Sequence, residues 1–383
     1  MWQKNVLYLD YNASAGVSSE VRKALTNSLN DGARWLANPS SAHQLGQGEE
    51  AFCRSALESI SRSLGGVDAF ELTLTSSGTE SNQVVLDALA AECQVLWVGA
   101  GEHPASLDHL PLLRQRHPGL SVRLVPLHRD GSSDLDALAG ELKALDRESR
   151  PMVGISLAWA NNETGAVLDL EALSRLKAES GVRCRVHLDG AQAWGKLPVV
   201  LPGLSFVDYV TFSSHKVGAP AGSGLVWKRG GGFSGRKTGS RNVLGLVALG
   251  EAARHVDPLR FSANTAPLRD RFEGQLKIRI PGVRIFGEGC TRVSNTSRFG
   301  FEGFPRYMDW AEQLDLAGFA VSRGSACRSG TPGPSPVLLA MGIPPEVAVN
   351  SIRVSFGPDR TWEEMESFLA ALCTLHEKKR NLL

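Results

Sequence analysis

Lys216 stands in Ser213-Ser214-His215-Lys216, directly after the β-rich run Val210-Thr211-Phe212 and ahead of Gly218, Pro220, Gly222 and Gly224. A lysine at a strand mouth, bracketed by hydroxyls, a histidine and a glycine-rich turn, is poorly explained as a solubilising charge. Partial desolvation beside a cationic ring would lower its pKa and make it a nucleophile toward an aldehyde. Ser213 and His215 are placed to reach a phosphate at the same time. A second set begins where the strand-like Leu72 to Thr75 runs into Ser76-Ser77-Gly78-Thr79-Glu80-Ser81 and a helix. Backbone N–H groups at a helix start, a close approach at Gly78 and the Thr79 hydroxyl suit a phosphate. An ordinary N-cap reads the same residues equally well. Third, Val186-His187-Leu188 delivers Asp189 to a strand end, with Gln192 three residues on. Ligands gather at that edge of open α/β sheets, and a buried Asp there needs a cation, for which a protonated pyridine nitrogen serves. Gln192 could donate to a ring hydroxyl. The plainer reading makes Asp189 a helix cap and His187 a partly buried histidine satisfied by backbone. A zinc site on His187 and Asp189 lacks a well-spaced Cys/His companion, so no metal is expected. His103, in Gly101-Glu102-His103-Pro104 after the run Val95 to Val98, is placed by strand order over a ring at the same edge, to stack on it and move a proton. Asn162 follows the run Val153 to Leu157 in the same way. A lysine for an aldehyde, an acid for a ring nitrogen and a seat for a phosphate together specify pyridoxal 5'-phosphate, carried on Lys216 as a Schiff base.

The elements that must deliver these groups alternate. Strand runs at Val95 to Val98, Val122 to Val125, Val153 to Leu157, Arg185 to Leu188, Tyr209 to Phe212 and Gly224 to Trp227 are interleaved with helical patterns at Val84 to Ala91, Leu135 to Leu145 and Leu170 to Lys177. Short β-rich runs between amphipathic helices predict an α/β fold, a mainly parallel sheet with helices on both faces. After about Gly250 the pattern changes to helix Leu268 to Ile280, strand Val283 to Phe286, helix Ala311 to Leu316, strand Ile352 to Phe356 and a helix from Trp362 to about Lys378, a smaller α+β lobe. The expected division is residues 15–250 as the large cofactor-binding domain and 251–383 as the small one, with 1–14 associated with the latter.

A chain of 383 residues with 42% hydrophobic and 21% charged residues is long enough for two packed lobes and falls among globular proteins. Its 41 basic and 40 acidic residues create no field that selects nucleic acid or a membrane surface. The apolar stretch Val6 to Leu9 is cut off by Asp10, too short for a signal-peptide core, and no run approaches the length of a bilayer span, so a cytoplasmic protein is expected. The six cysteines, at 53, 93, 184, 290, 327 and 373, form no CxxC pair. Cys53, Cys93, Cys184 and Cys373 sit in or beside helix and strand patterns and read as packing. Cys327 differs, lying in a Ser/Gly/Pro-rich loop with polar neighbours.

In this order the motifs resemble the class V group of fold-type-I pyridoxal-phosphate enzymes, and within it the NifS/IscS-like cysteine desulfurases. The resemblance spans nearly the whole chain, from Tyr8-Leu9-Asp10-Tyr11-Asn12-Ala13 through Asn38-Pro39-Ser40-Ser41, His43 and Gly46 to the segments already quoted. It implies that Thr79, Ser213 and His215 hold phosphate, Asp189 pairs with the pyridine nitrogen, Gln192 faces the ring hydroxyl, Asn162 lies near ring and substrate, and His103 stacks on the ring. Gly324-Ser325-Ala326-Cys327 is similar to the family's catalytic-cysteine loop, and Asn350-Ser351-Ile352-Arg353-Val354-Ser355 to the strand whose arginine binds the substrate carboxylate. The stretch from Cys327 to Pro336 resembles the family's mobile-loop subgroup, which implies persulfide transfer to an acceptor or scaffold protein. The implied reaction takes L-cysteine to L-alanine and leaves a Cys327 persulfide; iron–sulfur assembly, tRNA thiolation and other sinks stay open.

The chain departs from the pattern at Gly230-Gly231-Gly232, which leads to Arg236-Lys237-Thr238-Gly239-Ser240 through a segment one residue shorter. Ser240 keeps a hydroxyl where the family has a threonine reaching the neighbouring subunit's phosphate, which implies a homodimer. Arg323 and Arg328 flank the cysteine loop, where they could depress the Cys327 pKa or shape a partner surface. Selenocysteine lyase or a cysteine C–S lyase would use the same cofactor apparatus, and a non-catalytic scaffold would be expected to lose Lys216, Asp189 or Cys327; all three are present.

Overall fold

The structure, a computed structural model, describes residues 6–31, 37–145, 151–233, 240–305, 307–323 and 333–382. Its strands, in chain order, are β1 (Leu7–Tyr8), β2 (Leu72–Thr75), β3 (Val95–Gly99), β4 (Ser121–Val125), β5 (Met152–Ala158), β6 (Arg183–Asp189), β7 (Tyr209–Ser213), β8 (Gly224–Lys228), β9 (Val283–Phe286), β10 (Thr296–Phe301), β11 (Phe319–Ala320) and β12 (Ser351–Ser355). Among the described residues, seven of them form one sheet in the order β2-β8-β7-β6-β5-β3-β4, parallel from β7 to β4, with β8 antiparallel to both its neighbours. β3 and β7 are buried along their whole length, which is why their sequences run apolar without alternation. Alternate residues still feed opposite faces. Val95 and Trp97 belong to an apolar cluster that also holds residues of the helices Gln44–Ser63, Leu135–Lys143 and Val243–Arg254, whereas Leu96 and Val98 belong to a second one with residues of helix Gly78–Glu92. The parallel order carries the ends of β3, β5, β6 and β7 to one edge, and helix Gly78–Glu92 starts just after β2.

A second apolar cluster gathers around the antiparallel sheet β12-β10-β9 and the helices Pro258–Arg279 and Trp362–Arg380, with Phe272, Phe299 and Phe368 inside it. The N-terminal segment joins this cluster: β1 pairs in parallel with β11, Leu9 is fully buried, and Asp10 bridges to Ser355. Two sequence expectations need correction. The helix expected from Leu268 begins ten residues earlier, capped by Asp257, with Pro258 in its first turn and Pro267 inside it. The ring of Pro267 removes a donor and crowds the preceding turn, yet the helix runs through it, with Phe261 and Phe272 buried on either side. β10 was not anticipated, since Ser297, Arg298 and Gly300 obscure a strand that is buried throughout.

Candidate active site

Lys216 ends a single 3₁₀ turn, Ser214–Lys216, after β7, and its Nζ donates to the backbone carbonyls of Asn12 at 2.6 Å and Ala13 at 2.9 Å. Among the described residues no carboxylate pairs with it. Burial, then the nearby Arg353 charge, lowers its pKa to about 8, against a weaker upward pull from Asp189 and Asp10. The amine is therefore held by neutral oxygens that do not lock it as an ammonium.

Asp189 closes β6 and is buried. Its Oδ1 accepts the Ala191 N–H at 2.9 Å and its Oδ2 accepts Asn82 Nδ2 at 2.7 Å, so both oxygens face donors and neither caps a helix. His187, two residues earlier, is fully buried, and its partners are the side chains of Ser156 and Thr211, where backbone was expected. Gln192 Nε2 donates to the Asn12 carbonyl at 2.9 Å and Gln192 Oε1 accepts from Lys196; the amide's second hydrogen remains for a ring hydroxyl.

The helix start after β2 is capped by its own side chains and keeps backbone donors that could take an anion. Ser77 Oγ accepts the Glu80 N–H at 3.1 Å, and Glu80 folds back on Ser76 N and Oγ, each at 2.7 Å. The first-turn amides at Gly78 and Thr79 have no intrahelical acceptors and stay open to an anion. A Cβ on Gly78 would sit 2.8 Å from Ser213 Cβ, so glycine is what brings this turn against the end of β7. Gly224 does the same at the start of β8, where a Cβ would lie 2.3 Å from the Ser77 carbonyl. Ser213 and His215 thus border the same seat. Burial, then Lys216 and His103, drops the His215 pKa to about 4, which leaves its ring neutral.

His103 caps the short helix Pro104–Leu107, its Nδ1 accepting the Ala105 N–H at 3.0 Å, so a neutral ring carries its proton on Nε2. Desolvation by surrounding groups lowers its pKa although the residue keeps solvent access, and it feels the charges of Asp189, Lys216 and Arg353. The adjoining Glu102 is buried, and its carboxyl pKa rises well above the usual range through desolvation and then Asp189. Its Oε1 accepts the Ala158 N–H at 2.6 Å, fixing the His103 loop to the end of β5.

Arg353, in the middle of β12, reaches the same place from the second sheet. Nη2 meets Asp10 Oδ1 at 2.5 Å, Nη1 donates to the Asn162 carbonyl at 3.0 Å, and among the described residues its buried Nε has no partner. A buried guanidinium nitrogen is a donor that could serve a carboxylate. Asn162 contributes its carbonyl to Arg353 and to Asn12 Nδ2.

Asn12 is the residue that motif reading passed over. Besides Lys216, Gln192 and the Asn162 carbonyl, it bonds Lys196 through Oδ1 at 2.7 Å, Thr296 through Nδ2 at 2.8 Å and Ser355 through its N–H at 2.9 Å. It joins loops of the large sheet to both β10 and β12. Its presence in the Tyr8 to Ala13 motif was the available signal, but no local pattern shows a contact to Lys216 204 residues away.

Cys327 and Arg328 lie outside the described residues, as do Lys237 and Thr238. The chain on either side of the cysteine segment is tied to the site: Ser322 exchanges backbone hydrogen bonds with Arg353, and Ser335 Oγ donates to Glu163 Oε2 at 2.6 Å, next to Asn162. Arg323 is paired with Glu312 at 2.8 Å. Ser240 is exposed, next to Arg241, which bonds Glu50 at 2.6 Å. Among the described residues no group of acidic, histidine and cysteine side chains could hold a metal, and no helix is long and apolar enough to cross a membrane.

Comparison with known proteins matches residues 7–231 and 233–368 to the family model "Aminotransferase class-V". A cysteine desulfurase of Cereibacter sphaeroides is 33% identical, covering 98% of this chain and 97% of the relative. The cysteine desulfurase NifS of Azotobacter vinelandii is 31% identical, over 98% and 94%. A solved NifS-like protein superposes with a TM-score of 0.84 at 26% identity, covering 97% of this chain and all of that one.

Proposed function

Because this chain belongs to the class-V aminotransferase family, and within it to the NifS-like cysteine desulfurases, we propose that it converts L-cysteine to L-alanine and leaves the sulfur on Cys327 as a persulfide for an acceptor protein. The observation that carries this reading is the convergence of Lys216, Gln192 and Asn162 on Asn12, with Arg353 bonded to the same Asn162 carbonyl. The residues fit pyridoxal 5'-phosphate: an amine held only by carbonyls, a carboxylate with donors on both oxygens, and a helix start narrowed by Gly78. Bound there, that cofactor supplies an aldehyde for amine condensation and a ring that stores an electron pair.

The chain's own groups do the rest. Ser213, His215, Thr79 and the amide of Gly78 would hold the phosphate, Asp189 would hold the pyridine nitrogen and its proton, and His103 would lie against the ring. Arg353 takes the substrate carboxylate, Nε included, while Asn162 orients the guanidinium. Lys216, with its pKa near 8, removes the Cα proton as a free amine and stays close enough to return it. Cys327 attacks the substrate sulfur as thiolate: the C–S bond breaks, an S–S bond forms, and Cβ takes a proton with help from His103 to give alanine.

Ser240 from a second copy would complete the phosphate seat in a homodimer. The division into 15–250 and 251–383, with 1–14 joined to the small unit, is supported by the separate apolar clusters and by Leu9. Lys216→Ala tests the assignment. It should keep the fold by circular dichroism, lose the cofactor band near about 400 nm expected of an imine-conjugated pyridoxal, and lower alanine release from L-cysteine at least about a hundredfold. Full turnover in that variant would refute it.

A further inference from the structure

The buried side chains behind Asp189 form one directional chain. Asn82 Nδ2 donates to Asp189 Oδ2 at 2.7 Å, Thr211 Oγ1 donates to Asn82 Oδ1 at 2.5 Å, His187 Nε2 lies 3.0 Å from Thr211 Oγ1, and His187 Nδ1 lies 2.9 Å from Ser156 Oγ. All five residues are buried, His187 completely. Every direction follows from the first. A carboxylate only accepts, so Asn82 must present its NH2 and keep its carbonyl for the single Thr211 proton. Thr211 can then only accept from the ring, which places the histidine proton on Nε2. Burial lowers the His187 pKa to about 4, so the ring is neutral, its Nδ1 is bare, and the Ser156 hydroxyl fills it. Register explains why these residues meet: Ser156 of β5 lies directly opposite His187 of β6, Asp189 lies opposite Thr211 of β7, and Asn82 comes from the helix covering that face.

We infer that His187 is a positioning residue which, through Thr211 and Asn82, holds Asp189 as an oriented anion for the cofactor's pyridine nitrogen. This rests on the reading of Asp189 as that nitrogen's partner. Loss of a link leaves a buried acceptor without its donor, Oδ1 of Asn82 when Thr211 is replaced, so the amide is held less firmly against Asp189 and the carboxylate is fixed less firmly toward the pyridine nitrogen.

The test is a double-mutant cycle on the full-length protein, with Thr211→Val, Asp189→Asn and the pair, reading the dissociation constant for pyridoxal 5'-phosphate and the 15N shifts of the His187 ring. Thr211→Val keeps the side-chain shape and should raise the dissociation constant about tenfold in the wild-type background, with little further effect beside Asp189→Asn. In the wild type the ring shifts should report a single neutral Nε2–H tautomer. Ser156→Ala, at the far end of the chain, should weaken binding several-fold and mix the tautomers, and it serves if Thr211→Val fails to fold. An equal penalty for Thr211→Val in both backgrounds, or a wild-type Nδ1–H tautomer, overturns the positioning role alone. Unchanged affinity in Asp189→Asn instead removes the Asp189 reading on which it stands.

Discussion

Lys216 owes its reactivity to what does not touch it. Among the described residues its ammonium is offered two backbone carbonyls and no carboxylate, and the Arg353 charge nearby adds to the cost of protonation. With a folded pKa near 8 in place of 10.5, the free amine becomes the majority form above about pH 8, so the capture of an aldehyde should rise with pH through that value and level off about a unit above it. Reductive trapping of pyridoxal phosphate on the cofactor-free protein across pH 6 to 11 measures the midpoint; a rise centred near 10 would mean the amine behaves as an exposed lysine. Lys216 and Asp189 could be singled out in the sequence because each stands at a strand end with a distinctive neighbourhood, whereas Arg353 was marked only by the family resemblance. Asn12, Asn82, Thr211 and Lys196 could not be, because their roles are set by partners far away in sequence.

At the level of elements, the phosphate seat depends on two loops from β2 and β7 that are separated by β8 in the sheet yet touch above it. Gly78 and Gly224 permit that contact. Gly78→Ala places a methyl group 2.8 Å from Ser213 Cβ, and the helix start must shift away from β7. Such overpacking costs about 1–3 kcal/mol; the variant should melt several degrees lower and bind pyridoxal phosphate more weakly than its stability loss alone explains, as thermal scans with and without cofactor would show. Unchanged melting and affinity would mean the seat is elsewhere. β3 was readable from its unbroken apolar run, which a parallel strand covered on both faces needs, whereas β6 and β7 carry Arg, His, Thr and Ser and were read from their apolar residues and their place in the alternation. The helix Pro258–Arg279 and strand β10 were misread or missed because tertiary packing overrides a proline in the one and a polar-looking pattern in the other.

Across the whole molecule, the site is a junction: β12 brings Arg353, the N-terminal segment brings Asn12, and the large sheet brings Lys216 and Asp189. A second copy is expected to add Ser240. Sedimentation over a wide concentration range should give one dimeric species, and Ser240→Ala should leave it dimeric while weakening cofactor binding about tenfold or more, the worth of one hydrogen bond to an anion; a fully active, cofactor-loaded monomer would contradict this. What remains is the path of the sulfur, on which the desulfurase reading stands or falls. The described chain on either side of the segment that holds Cys327 is anchored to the backbone of Arg353 at Ser322 and to Glu163 at Ser335. Wild type and Cys327→Ser are treated with L-cysteine, digested without reductant and examined by mass spectrometry for one added sulfur on the peptide containing residue 327, with alanine release followed in parallel. The account predicts the added sulfur in the wild type, and in the serine variant neither that mass nor more than a small fraction of the alanine. A wild-type peptide without the extra sulfur, or a serine variant releasing alanine at the unchanged rate, would contradict it.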